Sequence, residues 1–100
     1  MMRHSGQFDT PLILFAGDKL VVNAAVRPRG TVRVGLLDAD GQPITGRGVA
    51  ECRTLADDNE SWTVSWADGH SVSRWSQQSI RLRIELRDAD LFGFQFQANS

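Results

Sequence analysis

The chain has 100 residues, a formal net charge of -1 and a hydrophobic fraction of 41%. That length suits one domain able to bury a core without metals or disulfides, and the composition excludes intrinsic disorder. The single lysine, Lys19, and the scattered arginines form no basic cluster, so neither a nucleic-acid nor a membrane partner is predicted.

Targeting signals are not evident either. The N-terminal MMRHSGQFDT lacks the apolar stretch of a signal peptide, and no run reaches the roughly 18 apolar residues of a membrane span. The localisation therefore stays unknown. We expect a tail over residues 1–5, one domain over 6–97 and a second tail over 98–100. Cys52 is the only cysteine, and a buried, inert thiol is favoured over a reactive one.

The first half of the chain predicts three strands. PLILF (Pro11–Phe15) is typical of a short, fully buried strand. Lys19–Val26 and Thr31–Asp38 alternate apolar and polar residues, as half-buried strands do. The Pro and Gly of RPRG (Arg27–Gly30) predict a turn that joins these two strands into a hairpin.

The second half predicts further strands. Val49–Leu55 is a weak candidate, whereas Ser61–Ala67 alternates, with Trp62, Val64 and Trp66 on one side. Ser79–Asp88 has the clearest period of two, because apolar residues alternate with Arg and Glu. Leu91–Gln97 places Phe92, Phe94 and Phe96 on one face.

No segment repeats apolar residues with the helical period over three turns, so no substantial helix is expected. About seven strands or more, joined by Gly, Pro and Asp turns, are typical of an all-β fold with a β-sandwich of two antiparallel sheets.

Two Asp-Ala-Asp segments raise the question of a metal site. DADG (Asp38–Gly41) begins like a calcium loop, but no Glu closes it at the required distance. The alternative is a turn in which Asp38 caps backbone N–H groups and Gly41 takes a positive φ. RDAD (Arg87–Asp90) is interpreted as the step between two strands, where Asp88 and Asp90 accept backbone N–H bonds. No metal or other cofactor is predicted.

Catalytic groups are equally sparse. Asp57, Asp58 and Glu60 cluster in a polar loop, and a free-standing glycosidase would need such carboxylates as a pair across a sugar site. Asp68, His70 and Ser71 resemble a triad only in linear order, since triad side chains converge from separate segments. His4, His70 and Cys52 do not make a zinc site. The sequence therefore predicts no catalytic residues.

The three tryptophans are the remaining candidates for binding. Trp62 and Trp66 share a face with Val64, which favours burial. No alternation surrounds Trp75, so this ring is the best candidate for an exposed contact with a carbohydrate or a neighbouring domain.

The order of segments, rather than any one motif, resembles the C-terminal β-sandwich module that follows the five-bladed β-propeller in glycoside hydrolases of the family 32 (invertase-like) type and in related glycosidase-like proteins. Each motif is weak, but their order spans nearly the whole chain. Gly93 departs from the pattern, because a larger residue is frequent there. The matching positions are Gly6, Phe8, Thr10 and Pro11; Leu20, Asn23 and Ala24; Val34 with Leu37–Gly46; Glu51 and Cys52; and Ile80–Phe96.

The resemblance implies a jelly-roll-like sandwich that is a non-catalytic accessory domain and not an enzyme by itself. Its partner would be a catalytic β-propeller absent from these 100 residues, and full-length relatives would be secreted. An apolar face left exposed in its absence would favour a homo-oligomer. The alternative is a carbohydrate-binding module that uses Trp75 to hold a polysaccharide.

Overall fold

The computed structural model describes residues 5–67, 69 and 71–97. These residues confirm the all-β class, since their only helical elements are the 3-10 turns Val49–Glu51 and Ser73–Trp75. The strands are β1 (Ser5–Asp9), β2 (Ile13–Leu14), β3 (Lys19–Leu37), β4 (Asn59–Thr63) and β5 (Ser79–Gln97). They form one antiparallel sheet in the order β1-β5-β3-β4, and β2 pairs with the start of β5.

The two long strands, β3 and β5, correct two predictions. RPRG does not join a hairpin, because β3 continues through it and both halves of β3 pair with β5. Arg27–Gly30 bulges out of the ladder opposite Asp88. RDAD likewise is not a step between strands but the middle of β5. Two segments predicted as separate strands therefore form one continuous strand in β3, and the same is true of β5. The structure consequently has fewer strands than predicted.

The sheet bends sharply at this bulge. Fourteen residues of straight strand would separate Leu20 from Val34 by about 46 Å, more than the 35 Å longest extent of the molecule. Instead, one short segment reaches both. The backbone N–H of Val64 donates to the Leu20 carbonyl at 2.9 Å, and the Trp66 indole Nε1 donates to the Val34 carbonyl at 3.0 Å. The two halves of β3 consequently turn toward each other.

Local conformation explains where the bend falls. Arg29 on β3 has a φ of 70°, and Asp88 on β5 has a φ of 52°. Both values fall in the left-handed region, which non-glycine residues seldom adopt. A Cβ on Gly30 would lie 2.5 Å from the Asp88 carbonyl oxygen, so the strands approach closely only because this residue is glycine. Pro28 fits the same place, since proline is tolerated in strands at bulges.

One core lies inside the bend. The alternation predicted for Ser79–Asp88 is confirmed, because its apolar row is buried and its charged row is partly or fully exposed. Residues from both halves of β3 and β5 belong to one apolar cluster, which Trp66 enters as a fully buried side chain. The buried row of β5 consists of Ile80, Leu82, Ile84 and Leu86.

Three further predictions need correction. Pro11–Phe15 is not fully buried: only Ile13 and Leu14 form a strand, and Leu14 is 68% exposed. The weak candidate Val49–Leu55 forms a 3-10 turn and isolated bridges rather than a strand. Phe92 lies at a register shift between β3 and β5, where it has no pairing partner on β3. Its side chain is 53% exposed, so it does not lie on a buried face with the other predicted members of its row.

Candidate functional site

Trp75, the aromatic residue predicted to be exposed, is half-buried and packs against the core. Its ring centroid lies 5.3 Å from the central carbon of the Arg47 guanidinium. The Trp66 centroid lies 5.2 Å from the same carbon. Each of the two rings therefore attracts the cation. Trp62 is also half-buried, whereas Trp66 is fully buried, as predicted.

Arg47 is held in this position by the backbone. Its Nε and one terminal nitrogen donate to the Ser71 carbonyl at 3.1 and 2.9 Å, and the other terminal nitrogen donates to the Gly46 carbonyl at 2.9 Å. The residue is only 7% exposed. A buried charge needs such hydrogen bonds, since burial without them costs several kcal/mol. The hydrogen bonds hold Arg47 against Trp66 and Trp75, and Trp75 is the most exposed of these three residues.

The turn interpretation of DADG is confirmed. One carboxylate oxygen of Asp38 accepts the N–H groups of Asp40 and Gln42 at 2.9 and 3.0 Å. Gly41 has a φ of 86°, which glycine adopts without strain. The Asp38 side chain thus has a structural role, and the described residues contain no group of three His, Cys, Asp or Glu suited to a metal ion.

Three other aspartates also have structural contacts. Asp58 accepts the backbone N–H of Val26 at 2.6 Å and so holds the start of the bulge. Asp90 pairs with Arg27 at 3.1 Å across the bend. Asp9 and Arg83 form a two-bond ion pair at the sheet edge, and the hydrogen bonds from Arg83 lower the pKa of the Asp9 carboxyl.

Cys52 is buried, in line with the sequence interpretation. Its sulfur accepts the Val34 N–H at 3.3 Å, and burial raises the pKa of the thiol to about 11. A neutral thiol in an apolar environment is a poor nucleophile. The histidine hypotheses are not addressed by this structure, since His4, Asp68 and His70 lie outside the described residues.

A further concave surface lies on the outer face of β4, β3 and β5. It is a crevice of about 350 Å³, which we name the amide trough. The described residues that line it are uncharged, and the side chains of Asn23 and Gln95 are exposed. Phe94 also lines it, 37% exposed. The remaining lining residues of the amide trough are Val21, Ser61, Gly93 and Gln97.

Comparison of the chain with protein families, with characterised proteins and with solved structures gives no match. Among the described residues, no helix has the length and apolar character needed to cross a membrane. The candidate sites must therefore be judged on their own geometry.

Sequence reasoning missed both Arg47 and the amide trough. Arg47 stands in a glycine-rich loop with no pattern around it, and its aromatic partners lie 19 and 28 residues further along the chain. The trough could have been suspected from Asn23, Gln95 and Gln97, which fall on the outward face of predicted strands. Nothing local indicated that β3 and β5 are neighbours, with Asn23 opposite Gly93.

Proposed function

We propose that this chain is a non-catalytic accessory β-domain that packs on the catalytic propeller of a glycoside hydrolase. The observation that carries the proposal is the set of large apolar side chains left in water. Leu12 and Leu14 are 49% and 68% exposed beside β2, and Phe92 and Phe94 are 53% and 37% exposed near the end of β5. Large exposed apolar surfaces commonly mark interaction sites.

The structural roles of four aspartates support the same proposal. Asp38 caps a turn, Asp58 holds a bulge, and Asp9 and Asp90 are paired with arginines. A pair of glycosidase carboxylates must instead face a sugar site, with one of them able to give up a proton near neutral pH.

We further propose that the bent sheet acts as the two layers of a jelly-roll-like sandwich. The support is the segment Val64–Trp66, which donates hydrogen bonds to both halves of β3, and the single apolar cluster between the halves. Proton–proton contacts by NMR between the methyl groups of Leu20 and those of Leu36 are expected for a closed pair of layers. Their absence would indicate an open sheet.

The docking proposal is tested with the propeller of an invertase-like glycoside hydrolase that lacks its own C-terminal domain. Mixing it with this chain should give a complex in size-exclusion chromatography and raise the melting temperature of the propeller, because a ligand that binds only the folded state stabilises it. Leu14→Gln should weaken the complex, whereas Gln42→Ala, in the exposed DADG turn, should not. If no propeller of this type binds the chain, the accessory role is contradicted.

A carbohydrate-binding module is the second candidate, and it rests on Trp75. This half-buried ring lies against the Arg47 guanidinium. Sugar rings place their C–H faces on aromatic planes, so fructans and arabinans are the polymers to titrate. A calorimetric signal that Trp75→Ala abolishes and Trp75→Phe retains would favour this candidate.

A further inference from the structure

We propose that the amide trough binds an uncharged, polyhydroxylated ligand, namely a neutral oligosaccharide. This goes beyond the accessory role, because a domain can pack on a propeller without binding sugar. It also places the sugar away from Trp75, on the outer face of β4, β3 and β5.

The chemistry of the trough matches hydroxyl groups. Asn23, Gln95 and Gln97 each offer a carbonyl acceptor and two N–H donors. A sugar hydroxyl is both donor and acceptor, so neighbouring amides can satisfy it in either direction.

The absence of charge in the trough selects the ligand class. None of the described residues that line it is acidic or basic. By contrast, the crevice beside the bulge contains Arg27, Asp58 and Asp90, and the crevice beside Val49 contains Glu51 and Arg83. An anionic or cationic ligand would find a countercharge in those crevices, whereas the trough offers only dipoles.

Gly93 makes the trough concave. A Cβ built on this residue has no heavy atom within 4 Å, so the glycine is not required by packing. Glycine within a strand weakens it, because there is no side chain to pack against the neighbours. Here the missing side chain opens a space beside Asn23, its partner on β3. Neighbouring strands lie about 4.8 Å apart, so a three-stranded surface is about 10 Å wide, enough for one or two sugar units.

The test uses the full chain and a panel of neutral tetrasaccharides derived from fructan, arabinan and β-glucan. Spectra of ¹⁵N-labelled protein report the side-chain amides directly. Saturable shifts are expected for the amides of Asn23, Gln95 and Gln97, and not for Gln42, an exposed amide in the DADG turn. Asn23→Ala and Gln95→Ala should each weaken binding about two- to tenfold, the effect of one hydrogen bond, while Gln42→Ala leaves it unchanged.

Gly93→Val separates loss of binding from loss of fold. Valine suits a strand and meets open space, so this variant should melt no lower than the parent while its side chain fills the trough and abolishes binding. The proposal is overturned if no tetrasaccharide gives saturable shifts, if Gly93→Val binds as tightly as the parent, or if the shifts map to Trp75. These outcomes are independent of whether the propeller complex forms.

Discussion

Gly30→Ala is the most direct test of the bend. The new methyl carbon would lie 2.5 Å from the Asp88 carbonyl oxygen, 2.8 Å from that of Arg87 and 2.9 Å from that of Arg27. All three atoms belong to the backbone, so relief requires the two strands to separate. Overpacking of this kind costs about 1–3 kcal/mol, and a rigid backbone places the cost near 3. Replacing glycine also lowers the conformational entropy of the unfolded chain, and this offsets about 0.4–1 kcal/mol of the cost.

The expected net loss is thus about 2 kcal/mol, or about 8–16 °C in melting temperature for a domain of this size. Urea and thermal unfolding measure it through tryptophan fluorescence, for which the fully buried Trp66 is a sensitive probe. Gly93→Ala is the matched control: it lies on the partner strand with open space around its Cβ, and it should gain about 0.4–1 kcal/mol. A Gly30→Ala variant as stable as the parent would refute the close approach of β3 and β5 at the bulge.

Three further outcomes are expected. Arg47→Met should lower the free energy of unfolding by about 2–4 kcal/mol, because it removes the cation from the two tryptophan rings and leaves the part-buried Ser71 carbonyl without its guanidinium donors; Arg53→Met, at an exposed position, is the control in urea titrations. Cys52 should react with a disulfide reagent at pH 8 only in denaturant, because its pKa of about 11 keeps the buried thiol protonated; fast labelling of the folded chain would contradict this. The lowered pKa of Asp9 means that its pair with Arg83 stabilises the fold above the ordinary carboxyl range and loses this effect as the pH falls through the native pKa. In Asp9→Asn, the free energy of unfolding should therefore decrease slightly less steeply as the pH falls through the acidic range. The difference should be small because the ion pair is exposed.

The sequence predicted the local periods well and the connections between them poorly. Alternation in Ser79–Asp88 identified a half-buried strand, because the two faces of a strand differ in polarity wherever one face is buried. RPRG looked like a hairpin turn because Pro and Gly mark any break in a ladder. Whether such a break reverses a strand or bulges out of it depends on the partner strand. That partner, β5, lies about 60 residues away along the chain.

In the candidate sites too, contacts between distant segments could not be predicted from local sequence. The burial of Trp66 followed from its parity with Val64, but the place of Trp75 depended on Arg47, a residue with no distinguishing neighbours in sequence. Gly93 stands where the expected module pattern predicts a larger residue. The structure shows the physical consequence of this glycine: it pairs with Asn23 and leaves an open space on the sheet.

The place of the amide trough in the fold bears on the strength of its binding. Asn23 lies on β3, which pairs with β4 on one side and β5 on the other, so its backbone is fixed before any ligand arrives. The long side chains of Gln95 and Gln97 must still be ordered, at about 0.5–1.5 kcal/mol each. A few hydrogen bonds worth about 1 kcal/mol each barely exceed that cost. A single sugar unit should therefore bind no tighter than millimolar, and affinity should rise with chain length until the trough is filled. Equal affinities for a monosaccharide and a tetrasaccharide in the same titration would contradict this expectation.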